Sequence, residues 1–534
     1  MIDFSRRSLL AGAAAMAGCA TAPKAPGPFE ATWDSLISQY RTPDWFADAK
    51  LGIWAHWGPQ CVPELGDWYG RLMYIQGSPF YEHHVATYGH PSEFGFIDLI
   101  GRWRAEAFEP EALLDLYQAA GAKFIVSMAN HHDNVDTFAS AHHEWNTTRI
   151  GPMRDIVGIW ERAVRARGLR FGVSNHAAHA WHWWQTAYGY DATGPRAGVR
   201  YDAARLTRAD GAGKYWQGLD PQLLYTGATM APPDGIDSIA AMNAFHDANS
   251  GQWIETIPPN NHAFARSWAL RQRDLIDRYK PDYCYFDNYE LPLEHYGLEA
   301  TAHFYNASLN WRGEAPVVTG KRLSAAQRRG IVESVERGFL TDTRDEVWQT
   351  CTCIGDWHYN RARFRDRSYM PAKAVLQRLV DVVSKNGVLL LSIPMRGDGS
   401  IDGEERAILA DMAAWMSVNG EAIYGSRPWR LWGEGPARIV EGMHGEGQVG
   451  PFTAEDIRFT AKGGALYAIA MDWPPPGAPL KIRALGRQAL GRAVERAELL
   501  GAGPLAIRQA DEALYIETPR GQGMGPAIRL PGLG

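Results

Sequence analysis

Cysteine is scarce in this chain: five in 534 residues, at positions 19, 61, 284, 351 and 353. These are too few and too scattered for a disulfide framework. Cys351 and Cys353 flank one residue, a poor geometry for a bridge, and without a second pair they make a weak metal signal. An excess of positive charge is also missing. A net charge of −6 spread over this length excludes the concentrated basic face that a nucleic-acid partner needs. Beyond the N-terminus no apolar run is long enough to read as a membrane span, and no internal repeat is visible.

The first thirty residues carry the one targeting pattern. MIDFSRRSLLAGAAAMAGCATA pairs Arg6 and Arg7 with a short apolar stretch and small residues, an export signal in a twin-arginine-like context. Cys19, within MAGCA, is a candidate lipid-attachment cysteine, although Met16 stands where such signals usually carry Leu. The expected location is therefore periplasmic, or lipid-anchored outside the cytoplasmic membrane. With 46% hydrophobic and 21% charged residues, the remainder can bury a sizeable core in two domains. Tryptophan is over-represented, 21 beside 22 Tyr, and many of these aromatics sit in polar stretches such as AHAWHWWQTAYGY. Rings in such surroundings suit sugars, whose C–H faces stack while hydroxyls hydrogen-bond nearby.

Along the chain, short β-rich runs alternate with helical patterns: LGIWAHWG, AKFIVSMANHHD, LRFGVSNHAAH, PDYCYFDNYE, GIVESVERG and NGVLLLSIP, with PEALLDLYQAAG and DIVGIWERAVRARG between them. This alternation predicts a parallel sheet closed into a (β/α)8-like barrel over residues 31–428. From 429 to 534 short alternating strands joined by Gly and Pro turns predict an antiparallel β-sandwich. Residues 176–261 form an insertion too long for an ordinary loop, expected at the rim of the site or as a flexible cover.

In such a barrel, polar residues that end apolar strands converge on one face. Asp287 ends YCYF, His56 ends GIWA, and His131, His132 and Asp133 end the second run. Glu336 closes GIVESVERG, which reads as the strand after that of Asp287. Asp67, Trp68 and Tyr69 follow the first strand in a loop able to fold over the same face. Histidines with acids permit a metal hydrolase, but HHD lacks a second ligand pair of zinc type. The alternative is glycosidic acid/base work by the carboxylates, with histidines and tryptophan holding hydroxyls. The second chemistry accounts for more of the residues, and it needs neither metal nor organic cofactor.

Six ordered motifs from about Trp45 to Trp429 then resemble a known family: KLGIWAHWG, GAKFIVSMANHHDNVDTF, the DWY of Asp67 to Tyr69, PDYCYFDN, VWQTCTCIGDWHYNR and LVDVVSKNGVLLLSIPMRGDGSI resemble the α-L-fucosidases of glycoside hydrolase family 29. The resemblance implies a retaining exo-glycosidase releasing terminal α-L-fucose, with Asp287 as nucleophile. It implies sugar-hydroxyl contacts from His56, His131 and His132, an aromatic wall from Trp68, and Trp357 beside the fucose methyl group. Three departures stand out. Gln349 follows Trp348 where many members carry a glutamate that acts as acid/base, and an amide cannot do that work. Glu336 is then the expected acid/base, with Glu333 and Glu346 as rivals. Asp67 replaces a common Glu and is expected to contact a hydroxyl. SNHAAH replaces a tyrosine-rich strand end, leaving Asn175 or His176 for that contact. Two other functions remain open on sequence: an exo-glycosidase for a related sugar such as α-L-galactose, and a glycan-binding barrel that has lost its acid/base.

Overall fold

The structure is a computed structural model that describes residues 25–534; Arg6, Arg7 and Cys19 lie outside the described residues. Eight parallel strands form the first sheet: β1 (Leu51–Ala55), β2 (Phe124–Asn130), β3 (Arg170–Asn175), β4 (Tyr283–Tyr289), β5 (Val317–Lys321), β6 (Val332–Glu333), β7 (Trp348–Cys353) and β8 (Gly387–Ser392). Their order, β6-β5-β4-β3-β2-β1-β8-β7, is that of a barrel opened between β6 and β7. The seam is closed by one bridge, Ser334 to Gln349, where the Val335 N–H donates to the Gln349 carbonyl at 2.8 Å. The major crossovers are α1 (Pro110–Ala119), α2 (Ile156–Ala166), α3 (His262–Tyr279), α4 (His295–Arg312) and α5 (Ala372–Ser384), and α6 (Gly403–Asn419) follows β8. No α-helix connects β5 to β6 or β6 to β7. Two of the eight strands, β5 and β7, escape the sequence reading of apolar runs, and this shifts a site residue. Glu336 is not on the strand next to that of Asp287. β5 intervenes, and β6 ends at Glu333, so Glu336 stands in the turn beyond it.

The strands are buried on both faces, which is why they read as near-continuous apolar runs. The two-residue period divides them. Trp54, Phe124, Val126, Tyr283, Tyr285, Val317, Cys351, Val388 and Leu390 fill the barrel interior. Ile53, Ile125, Phe171, Cys284, Phe286, Val318 and Leu389 face the helices. The interior is so full that a Cβ on Gly52 would meet the Phe124 ring at 2.3 Å. His56 and Asp287 continue the inward parity of Trp54 and Tyr285, and so emerge at the C-terminal mouth.

Two antiparallel sheets follow. The larger contains β9 (Arg427–Glu434), β10 (Ile457–Lys462), β11 (Ala465–Ala470), β13 (Ala497–Leu499), β14 (Gly503–Leu505) and β17 (Ala527–Pro531). The smaller contains β12 (Leu480–Ile482), β15 (Ile507–Gln509) and β16 (Leu514–Ile516), and Phe459, Leu466, Leu480 and Ile516 share one core between them. Among the described residues no helix is long and apolar enough to cross a membrane.

The barrel and the β-region meet at a buried ion cluster. Asp381 on α5 takes Lys385 Nζ at 2.7 Å and Arg458 Nε of β10 at 2.6 Å, all three side chains at most 2% exposed. Both cations also stack on the Trp432 ring of β9. Removing one member of such a cluster leaves charge buried without a counter-ion. Asp381→Ala is expected to lower the free energy of unfolding by about 3–5 kcal/mol in denaturant titrations.

Candidate active site

A cavity of about 310 Å³ opens at the barrel mouth, lined by His56, Trp68, His131, His132, Asp287 and Glu336 together with Trp54, Trp253, Tyr285, Tyr289, Lys321, Trp357, Met443 and His444. The sequence-predicted residues thus converge, with Asp67 as the exception. Its carboxylate is turned back to accept the backbone N–H groups of His358 at 2.7 Å and Trp357 at 3.2 Å. It acts on the cavity by fixing the turn that carries Trp357. Trp68 itself is held in the left-handed region, at φ 63°. Such a backbone is costly for a bulky residue and persists only where surroundings impose it. Here the following residue, Tyr69, is anchored by hydrogen bonds to His83 and His84.

At the centre one ammonium holds two carboxylates. Lys321 Nζ donates to Asp287 Oδ1 and to Glu336 Oε2, the latter at 2.5 Å, with all three side chains at most 14% exposed. Burial favours the neutral form of Asp287, but the Lys321 charge and contacts from His176 and His132 outweigh it and hold its carboxyl well below the usual range. Lys321 in turn stays charged, because its two carboxylate neighbours overcome the desolvation that would neutralise it. Lys321 was missed on sequence. The signal was present, since VVTGK is a short apolar run ending in a charge, as at the other strand ends.

Histidine rings surround Asp287. His132 Nε2 and His176 Nδ1 lie 3.5 and 3.4 Å from Asp287 Oδ2. Burial depresses His56 and His131 far below the ordinary imidazole value and brings His132 to about 3. His176, rather than Asn175, reaches Asp287. Asn175 is engaged by Gln272 and Trp268 in the barrel wall.

Ring nitrogens of His56, His131 and His176 come within 4.8 Å of one another, as do those of His132 and His176 with Asp287. Yet Gln60 Nε2 donates both to His131 Nδ1, at 2.9 Å, and to the Asp133 carboxylate. The proton of neutral His131 is thereby placed on Nε2, which makes that nitrogen a donor to hydroxyls and not a metal ligand.

Gln349 and Glu333 lie away from this chemistry. Glu333 pairs with Arg328 and Arg344 and caps the Leu323 N–H. Gln349 accepts from the Tyr283 hydroxyl at 2.8 Å and donates to Ser334 Oγ at 3.0 Å, inside the barrel seam. Tyr283 precedes Asp287 by four residues on β4, about 13 Å along a strand. An acid at 349 therefore has no access to a bond held by Asp287.

The Glu336 turn is braced from the β-region. His444 N–H donates to the Glu336 carbonyl at 2.8 Å and Glu446 N–H to that of Arg337 at 3.0 Å. Arg337 stacks on Trp357.

Two outcomes follow from this geometry. Gln349→Glu is expected to give no gain in turnover and to lower stability by about 1–3 kcal/mol, because it buries an acid against Tyr283 and Ser334; increased kcat would overturn the placement. The second concerns acid. Besides the rings above, His179 is depressed far, His143 to about 3 and His182 to about 4, burial being the main cause in each. An unfolded chain protonates such groups near pH 6.5 while the folded one does not, so stability falls as pH drops through that value. Asp133, Asp202 and Glu255, raised to about 6, 7 and 7 by burial, oppose this, as do Asp98 and the strongly raised Glu405, but these acids are fewer. The melting temperature should decline from pH 6.5 to 4.5, and a flat or rising profile would contradict the neutral-histidine assignment.

Comparison with known proteins identifies the family. The family model described as Alpha-L-fucosidase matches residues 16–421. Tissue alpha-L-fucosidase of Rattus norvegicus is 27% identical over 485 residues, covering 89% of this chain and 85% of its own. The Homo sapiens tissue enzyme is 26% identical, covering 85% and 80%. Among solved structures, Thermotoga maritima alpha-fucosidase in complex with fucose superposes with a TM-score of 0.67 at 24% identity, covering 94% of this chain and 100% of its own. An alpha-L-fucosidase from Bacteroides thetaiotaomicron, trapped as a covalent intermediate, gives 0.58 at 17%, covering 92% and 96%. With six sequence motifs, the barrel and a model match over most of its length, the chain belongs to the α-L-fucosidase family of glycoside hydrolases.

Proposed function

We propose that this protein is a retaining exo-α-L-fucosidase that releases terminal α-L-fucose from glycans by double displacement, with Asp287 as nucleophile and Glu336 as acid/base. The observation that carries this reading is the shared ammonium. Two oxygens each within 2.5 Å of Lys321 Nζ are at most about 5 Å apart. Acids bridged by one ammonium are held close, as the short carboxyl separation of a retaining pair, roughly 5–5.5 Å, requires. The pocket-shaped cavity suits one terminal sugar, with the neutral histidines facing hydroxyls and Trp357 beside the C6 methyl.

Ionised Asp287 attacks the anomeric carbon while Glu336 donates its proton to the glycosidic oxygen, which leaves with the remainder of the glycan. A fucosyl-aspartate ester forms. Glu336, now a carboxylate, takes a proton from water as the water oxygen attacks the anomeric carbon, and Asp287 departs with its electron pair. The two inversions restore the α configuration. The leader SRRSLLAGAAAMAGCA further supports an enzyme acting beyond the cytoplasmic membrane.

Asp287→Asn should abolish turnover. Glu336→Ala should lose about 10²–10⁴-fold on a substrate with a poor leaving group, less on an activated aryl fucoside. Added azide should rescue the Glu336→Ala variant and give a fucosyl azide of retained configuration, read by NMR. Normal rates for Glu336→Ala on the poor leaving group would refute its assignment.

A further inference from the structure

The sheet lets go of β4 at the step that carries Asp287. β4 pairs with β5 at Tyr283, Cys284 and Tyr285 and then not until Tyr289 opposite Lys321, so four steps on β4 face two on β5. Pairing with β3 stops at Phe286. Asp287 and Asn288 therefore lie in a bulge, a device that re-aims a side chain at the cost of ladder hydrogen bonds.

The missing grip comes from the 176–261 segment. Glu255 Oε1 accepts the Tyr289 N–H at 2.7 Å and the Trp253 indole N–H at 2.8 Å, while Oε2 accepts from Asn288 Nδ2 at 2.6 Å. Asn288 and Tyr289 are the two residues directly after Asp287. From the same segment His179 Nε2 reaches the Asp287 carbonyl oxygen at 3.1 Å, and the Trp253 ring lies over His179 with centroids 3.8 Å apart. Trp253 also lines the sugar cavity, parallel to Trp68. The segment is thus no loose cover, since Trp181, Trp183, Trp184 and Trp216 within it are fully buried.

We infer that Glu255 is a positioning residue: it replaces the absent ladder bonds at the bulge, so fixing where Asp287 points, and it sets Trp253 as a wall of the same cavity. Glu255 itself does not line the cavity. This inference rests on Asp287 being the nucleophile. A shift of about 1 Å at a reacting group costs on the order of 10²-fold in rate, so the expected signature is loss of kcat rather than of binding.

The decisive comparison is Glu255→Ala with Glu255→Gln on an aryl fucoside. Glutamine keeps both Oε1 bonds, and Asn288, whose Oδ1 has no partner, can turn its amide to accept from the new NH2 group. Glu255→Ala is expected to lower kcat about 30–100-fold with KM changed less than about threefold, and Glu255→Gln to restore kcat to within about threefold. Unchanged kcat in Glu255→Ala, or an equal loss in Glu255→Gln, would overturn the inference. If Glu255→Ala does not fold, Asn288→Ala removes the donor from the other side and must show the same kcat-selective loss; an unchanged kcat or a loss confined to KM overturns it. Covalent labelling with a 2-deoxy-2-fluoro-fucosyl fluoride, mapped by peptide mass spectrometry, keeps the two readings apart. A label elsewhere than Asp287 refutes the nucleophile, whereas a label on Asp287 at full rate in Glu255→Ala refutes only the role of Glu255.

Discussion

Lys321 sets the electrostatics around which the site is arranged. Two carboxylates as close as Asp287 and Glu336, each largely removed from water, repel strongly in a medium of low dielectric. A buried ammonium between them offsets that repulsion and makes a compact group whose members fix one another's positions. The same contact keeps Asp287 ionised despite its burial. A ring of imidazolium ions around this group would need further counter-ions, and burial instead leaves His56, His131 and His132 neutral. Neutral rings with fixed tautomers are directional partners for hydroxyls, as the grip of Gln60 on His131 illustrates.

Each acid is then held by structure from outside the regular barrel. β4 loses its ladder at the bulge that presents Asp287, and the long segment after β3 supplies hydrogen bonds there through Glu255. β6 is only two residues long, and the turn that carries Glu336 is caught by backbone donors of His444 and Glu446 from the β9–β10 connection. Irregular backbone around a reacting pair is a recurring arrangement, since a bulge or a turn can re-aim a side chain that a regular strand would point elsewhere. The buried Asp381 cluster ties the β-region to α5, and so bears on how firmly that second brace is seated.

The alternation of apolar runs with helical patterns, the change of texture near residue 429, and the strand-end positions of His56, His131, His132 and Asp287 were legible in the amino-acid order. Each is a local property: a period of two puts Asp287 on the same face as Tyr283 and Tyr285, and a run that stops on an acid marks a strand mouth. The six motifs fixed the family for the same reason, being contiguous. Tertiary structure alone decided the partners. VVTGK carries the mark of a strand mouth, but nothing local places its strand between those of Asp287 and Glu336 or sets the Lys321 ammonium between the two acids. Gln349 read as a lost acid because sequence gives no depth along a barrel, and the fold places it in the seam well below the mouth. Asp67 faces backbone donors rather than the cavity, and Glu255 meets Asn288 from 33 residues away. Contacts between distant segments depend on how loops return across the barrel mouth, which no local pattern encodes.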